Sequence, residues 1–450
     1  KTVWLQLLLA TFVFFGPQLC SHMSRSPKSR RRRNFGSPKH GAMMCIPAAD
    51  QPAGFALTEE PQTPSPAAPG QLTEVATEPL TPAVDPHSTN LHFFHGMAQW
   101  KLLPEGEFTK VKKLRGCKTG NNVQLCRRNR PEFKTTPVIM KNTLKESVEH
   151  SKTCESNDKK LFFQPELPRA FKDALTEAGV YSFLSQQAEC HPSFLKMLGC
   201  FADSTYVSLA LEYAEGGAAI DMVYQHGPLK EDKLKVHASQ LIEGVKYLHS
   251  LRIGHRHISL ESILVKKGSF CLIDFGHAAP THSPCGQSLL RCLNLAGMHP
   301  YRPPEAYCPK EEFIRVIPPP YAVAGDVVFA RYLGGFCHAR VCPEDGEVVV
   351  TGQECRAQNW GYTLPAADAF ACGVCLYFLA VGVADIPLRL ARSGIHDVLQ
   401  GNRQAVPDQA FALLEKLVAT DPEMRPSMEQ CLSSPWLAEL PPLEGGVASS

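Results

Sequence analysis

The sequence predicts an α+β fold, strands first and helices after, behind a leader too poor in apolar residues to pack. Three observations carry this. Residues 123–126 and 138–141 are short apolar runs separated by polar turns, the pattern of paired strands. Residues 233–249 place Leu234, Leu241, Ile242, Val245 and Leu248 on one helical face. Residues 46–90 hold nine prolines among Ala, Thr, Glu and Gln, which leaves too little apolar surface to offset chain entropy.

Composition bounds the rest. The 450 residues are 44% hydrophobic and 20% charged, enough to bury one large core. A formal net charge of +2 supplies no global field for nucleic acid or a membrane surface. No nucleic-acid partner is expected, and any basic function is local. The local candidate is the run Arg30, Arg31, Arg32 and Arg33, read as a solvated linker, a processing site or a peripheral membrane contact. Residues 1–20 carry one cation and then the apolar run 3–15, too short to span a bilayer and suited to a signal peptide. A buried apolar segment is the alternative; the signal-peptide reading makes the protein secreted. Beyond residue 20 no segment is expected to cross a membrane. Seventeen cysteines on an oxidising route imply that some pair.

The expected organisation is a signal peptide over 1–20, a basic and then Pro-rich disordered leader over 21–90, one folded domain over 91–440, and a tail over 441–450. Inside the domain, helical spacing recurs at 171–184, where Phe171, Leu175, Val180, Phe183 and Leu184 share one side. Residues 369–383 and 411–417 read as buried helices.

The most informative stretch is His255-Arg256-His257, followed by Leu260, Ile263 and Leu264 and, after a turn at Lys267-Gly268, by Leu272-Ile273-Asp274-Phe275-Gly276. Other motifs fall in order around it. Val138-Ile139-Met140-Lys141, Glu177, His191-Pro192 and the run LALEYAEGG at 209–217 come before; Tyr301-Arg302-Pro303-Pro304-Glu305, Asp368 with Gly373, and Arg425 come after. In this order, from about residue 110 to 437, the chain resembles a protein kinase. The resemblance implies a bilobal protein-kinase-like fold with a small β-rich N-lobe at about 91–213 and a larger helical C-lobe at about 217–440. It implies that Lys141 binds phosphate, that Glu177 pairs with it, and that Glu212 and Ala214 hold an adenine behind Leu211. It also assigns a metal ion to Asp274 and pairs Glu305 with Arg425. ATP and Mg are the implied cofactors.

The departures from the family decide the expected activity. A kinase catalytic loop offers an aspartate to the attacking hydroxyl and, five residues on, an asparagine to the second metal ion. Here those positions are His257 and Ser262, and Ser259 replaces the following lysine. A histidine brings no negative charge, and a serine is a poor substitute for an amide ligand. With Val123 at the family's valine, Gly116, Lys118 and Asn121 take the places of three glycines and Gly120 falls out of step. Side chains there obstruct the close backbone approach that cradles phosphate. No catalytic residue is intact, ATP and Mg are expected to bind weakly or not at all, and the chain reads as a pseudokinase that scaffolds or regulates a partner kinase or host protein. Lys141, Glu177 and Asp274 support the alternative, a weak or atypical ATP-dependent serine/threonine kinase or other ATP-using transferase; they also serve as internal ties.

Residues 308–365 form an insert in the C-lobe with Cys337, Cys342 and Cys355, of which at least one is expected to be oxidised. Zinc is disfavoured because Cys337 and Cys342 lack a second close pair. The signal peptide, the Arg-rich and Pro-rich leader, the insert and the cysteines together resemble the rhoptry-kinase family of coccidian parasites. That resemblance implies export from a parasite secretory organelle into a vacuole or host cell, and action on host proteins or partner kinases.

Overall fold

The computed structural model describes residues 83–84, 93–116, 121–129, 136–150, 172–187, 190–283, 286–307, 313–320, 322–332, 335–342, 353–383, 395 and 397–438. The expectations for 1–20, for Arg30 to Arg33, for nearly all of the leader and for the tail lie outside the described residues.

A six-stranded sheet forms the first lobe. Its main strands are β1 (Phe108–Gly116), β2 (Asn122–Arg128), β3 (Pro137–Leu144), β4 (Met197–Ala202) and β5 (Tyr206–Glu212), ordered β4-β5-β3-β2-β1 with Lys101–Leu102 outside β4. Alternation decides which way each side chain faces. On β3, Val138 and Met140 enter a small core with Cys126, Phe201 and Ala210, which leaves Ile139 and Lys141 for the opposite face. Helix α1 (Ala174–Ser185) packs beside this sheet.

The second lobe is helical. Helix α2 (Ala219–His226) is followed by α3 (Glu231–Ser250), which opens on Glu231 and Asp232 and closes on His249, charges that suit the helix dipole. Leu234, Ala238, Leu241, Ile242, Val245 and Leu248 form its buried face. They share a core with α4 (Leu364–Val381) and α5 (Asp408–Leu417). By length and composition α4 is apolar enough to cross a membrane, contrary to the expectation that no such segment follows the leader. Its residues are nearly all buried within this lobe, as befits a core helix. Two antiparallel strands, β6 (Ile263–Lys266) and β7 (Ser269–Leu272), face the first lobe. The architecture is the expected bilobal α+β fold.

The insert departs from its expected character. Strands β8 (Phe313–Val316), β9 (Val327–Tyr332), β10 (Gly335–Val341) and β11 (Cys355–Asn359) form an antiparallel sheet ordered β8-β11-β10-β9. Ile314, Val316, Ala330, Cys337, Ala339, Val341, Cys355 and Ala357 make a separate core. The oxidation expected of Cys337, Cys342 or Cys355 is not shown: all three are buried, and no disulfide joins any two of the eleven described cysteines. Cys337 and Cys355 add small apolar volume to this core. Within the leader, expected to be disordered through residue 90, Ala83–Val84 is a short strand paired with Arg291–Cys292.

Arg425 holds Glu305 bidentately, Nη1 to Oε1 at 2.5 Å and Nη2 to Oε2 at 2.8 Å, with the two side chains 0% and 1% exposed. Glu305→Ala or Arg425→Ala strands the other charge in the core and should cost about 3–5 kcal/mol. Chemical denaturation measures this, and unchanged stability in both variants would contradict it. Burial also pushes the imidazoles of His255, His299 and His338 down to about 4. Each stays neutral when folded and takes up a proton near its ordinary 6.5 only on unfolding. Their contribution is therefore fully present above pH 6.5 and is lost as pH falls toward 4. Stability should drop by about 2 kcal/mol per histidine by pH 5, a loss that melting curves across this range will register and that a flat profile would refute.

Candidate nucleotide and metal site

Lys141, projecting from β3, meets Glu177 of α1, with Nζ 2.6 Å from Oε1 and also bonded to Oε2. The helix is placed for this contact by its first turn. Asp173 caps it, accepting from Leu175 N at 2.9 Å and from Thr176 Oγ1 at 2.7 Å. His95 Nε2 lies 2.5 Å from the same carboxylate. Phe94 lies against Gly179, where an added Cβ would come within 2.1 Å of Phe94 O. The segment Phe94-His95 thus clasps α1 at two points, and a larger residue at Gly179 would push it away.

Across the cleft, the catalytic-loop segment hangs on Asp368, which is fully buried. Its carboxylate accepts from His255 N and Arg256 N, each at 2.8 Å, and lies 3.1 Å from His249 Nε2. Burial alone would raise the Asp368 carboxyl, but the bond from His249 and the neighbouring imidazoles outweigh it and hold it below the ordinary carboxylate value. Tyr181 of α1, Phe275 and His255 meet in sequence, the first pair edge to face and the second tilted, with ring centroids 4.9 and 5.1 Å apart. That column joins α1, the Asp274 loop and the catalytic loop as one packed unit.

The two degenerate positions are both engaged locally. Ser262 Oγ donates to His257 O at 2.8 Å and accepts from Ser259 N at 2.9 Å; Ser259 and Ser262 form a reciprocal cap on the short turn Leu260–Ser262. His257 Nδ1 lies 3.5 Å from Asp274 Oδ2. Ser262 therefore braces its loop, and His257 adds no carboxylate to the cleft.

Asp274 sits in the left-handed backbone region, with φ 77°, a conformation that Asp tolerates better than most residues. Lys172 Nζ lies 2.5 Å from each of its carboxylate oxygens, and Lys141 Nζ lies 3.8 Å from Oδ1. Burial would raise this carboxyl; Lys172 first and Lys141 next reverse the effect and hold it well below the usual carboxylate range. A divalent metal does not fit this arrangement, because two ammonium groups already crowd the carboxylate, with Lys172 Nζ donating to Oδ2 and Lys141 Nζ 3.8 Å from Oδ1, and Ser262 is spent on its own loop; Oδ1 itself accepts no hydrogen bond.

Of the residues read from sequence, Lys141, Glu177, Asp274, His257 and Ser262 come together around the cleft. Glu212 ends β5 with its side chain bonded to Lys266 Nζ at 2.5 Å and Lys196 N at 2.9 Å, and Ala214 is buried beside Leu195 and Cys271. Gly116 closes β1, Asn121 accepts from Leu144 N at 2.8 Å, and Lys118 and Gly120 lie outside the described residues. Sequence reading missed Lys172, His95, Asn294 and Tyr362. The last two matter because Arg256 Nη2 bonds Asn294 Oδ1 at 2.6 Å and Tyr362 Oη at 3.0 Å, which ties the segment after Asp274 to the catalytic loop. Two residues of lead before a helix carrying Glu177 was the only signal for Lys172.

Compared with known proteins, residues 140–312 match the family model described as Protein kinase domain. The chain is 32% identical over 141 residues to Aurora kinase A-A of Xenopus laevis, covering 30% of this chain and 33% of that protein. It is 30% identical over 122 residues to 3-phosphoinositide-dependent protein kinase 1 of Arabidopsis thaliana, covering 26% and 25%. It is 24% identical over 255 residues to Sperm motility kinase 2B of Mus musculus, covering 55% and 41%. The chain thus spans between 25% and 41% of the length of these relatives. The matched span holds the Lys141–Glu177 pair and the loop around Asp274, and together with the two-lobed fold it makes this region similar to protein kinases in both sequence and architecture.

Proposed function

We propose that this chain is a pseudokinase, a kinase-fold binding module that does not transfer phosphate. One observation carries the reading: His257 stands where the family's catalytic aspartate would orient the attacking hydroxyl. Positioning and electrostatic stabilisation supply nearly all of kinase catalysis, and the cleft lacks the aspartate, the asparagine and the lysine of the catalytic loop at once. The domain acts instead as a scaffold or allosteric regulator of a partner kinase or host protein, through its lobe surfaces and the insert sheet. Secretion, by the signal peptide, and a place in the rhoptry-kinase family belong to the same proposal. Glu212 and Ala214 are its adenine-facing positions, and Lys141 is its phosphate-facing cation.

A second reading, a weak or atypical ATP-dependent serine/threonine kinase or other ATP-using transferase, is favoured by the intact Lys141–Glu177 pair. Labelled ATP separates the two. The purified protein should put no label on itself or on a generic protein substrate, whereas labelling abolished by Asp274→Ala would sink the pseudokinase reading. His257→Asp alone should also leave transfer below about 1 per second, the bottom of the usual kinase range, since Ser262 and Lys172 keep their present partners. His257→Asp with Ser262→Asn should do better. Full recovery in the single variant would mean that the rest of the cleft is competent.

A further inference from the structure

Asp274 is the surviving residue to which the family resemblance assigns a metal, yet its surroundings already hold a cation. The Lys172 ammonium, on a side chain 42% exposed, donates to Asp274 Oδ2 at 2.5 Å and lies equally close to Oδ1, which accepts no hydrogen bond. Its stem is placed by packing: a Cβ added to Gly276 would fall 2.5 Å from Lys172 Cγ. The neighbouring residue is pinned as well, because Asp173 N donates to Gly276 O at 2.8 Å while the Asp173 side chain caps α1. The loop that carries Asp274 and the helix that carries Glu177 therefore hold Lys172 between them.

Charge counting points the same way. Lys141 and Lys172 face Glu177 and Asp274, so the group is balanced without a further ion. A divalent ion set beside two ammonium groups meets the repulsion of both in a cleft that screens charge less than bulk water does. It also finds no ligand at Ser262, whose hydroxyl serves His257 and Ser259.

We propose that Lys172 is the built-in cation of this site, standing on Asp274 in place of a divalent metal, so that the pocket takes up neither Mg2+ nor Mn2+. A nucleotide polyphosphate entering the cleft would meet Lys141 and Lys172 rather than a metal ion. The inference rests on the pseudokinase reading for its site and fails separately from it. Phosphoryl transfer without metal would end that reading and leave this one standing; metal uptake without transfer would do the reverse.

The test is Mn2+ binding by the full chain without nucleotide, read as loss of the free Mn2+ paramagnetic resonance signal. Wild type and Lys172→Arg should show no uptake at Asp274. Lys172→Met should gain a single site, tighter than wild type by roughly ten-fold or more, the scale of one lost charge repulsion. Adding Asp274→Asn to Lys172→Met should abolish it. Lys172→Gln replaces Lys172→Met should that variant fail to fold cooperatively. Wild-type uptake that disappears in Asp274→Asn overturns the proposal, and so does a folded Lys172→Met or Lys172→Gln that still takes up no Mn2+.

Discussion

The ionised carboxylate of Asp274, 16% exposed at the cleft, is the constraint to which the rest of the site answers. An isolated buried carboxylate is costly, and the cost is offset only by close opposite charge and hydrogen bonds. In a working kinase the metal ions of the nucleotide complex supply that charge. Here two lysines from different elements supply it, Lys172 at 2.5 Å and Lys141 at 3.8 Å. The Lys172 contact needs the start of α1 to lie against the Asp274 loop, and the Asp173 N to Gly276 O bond holds it there. Neutralising Asp274 and holding Glu177 beside Lys141 are therefore one structural event.

The catalytic loop shows the same economy on the other side of the cleft. Asp368 fixes its backbone through two amides, and Arg256 reaches across to Asn294 and Tyr362. Kinase activation segments are commonly ordered when a phosphorylated residue pairs with arginine. In this chain the arginine bonds Asn294 of the segment after Asp274 and, beyond the insert, Tyr362. Together with the Tyr181–Phe275–His255 contacts, these ties join α1, the Asp274 loop and the loop at His255–His257.

Much of this was legible in the sequence. Period-two apolar residues marked β3, the 3.6-residue period marked α3, and the order of Lys141, Glu177, Asp274, Glu305 and Arg425 placed the cleft, because those pairings follow from chain order in a shared fold. Lys172 was not legible, since it meets Asp274 across 102 residues and no local pattern joins them. The insert misled for a different reason. Its core mixes Ile314, Val316 and Val341 with Ala330, Ala339, Ala357, Cys337 and Cys355, and the small residues weaken the hydrophobic alternation that would announce its strands. Asn294 and Tyr362 escaped notice because their role depends on the shape of the segment between them.

The account turns on Lys172 serving Asp274 as its counterion even when nucleotide and metal are offered. Crystals grown with ATP and MnCl2 and measured at the manganese absorption edge test that directly. The account predicts no anomalous peak beside Asp274, with the Lys172 ammonium still on the carboxylate. A manganese peak bridging Asp274 and the nucleotide phosphates, with Lys172 swung into solvent, would contradict it.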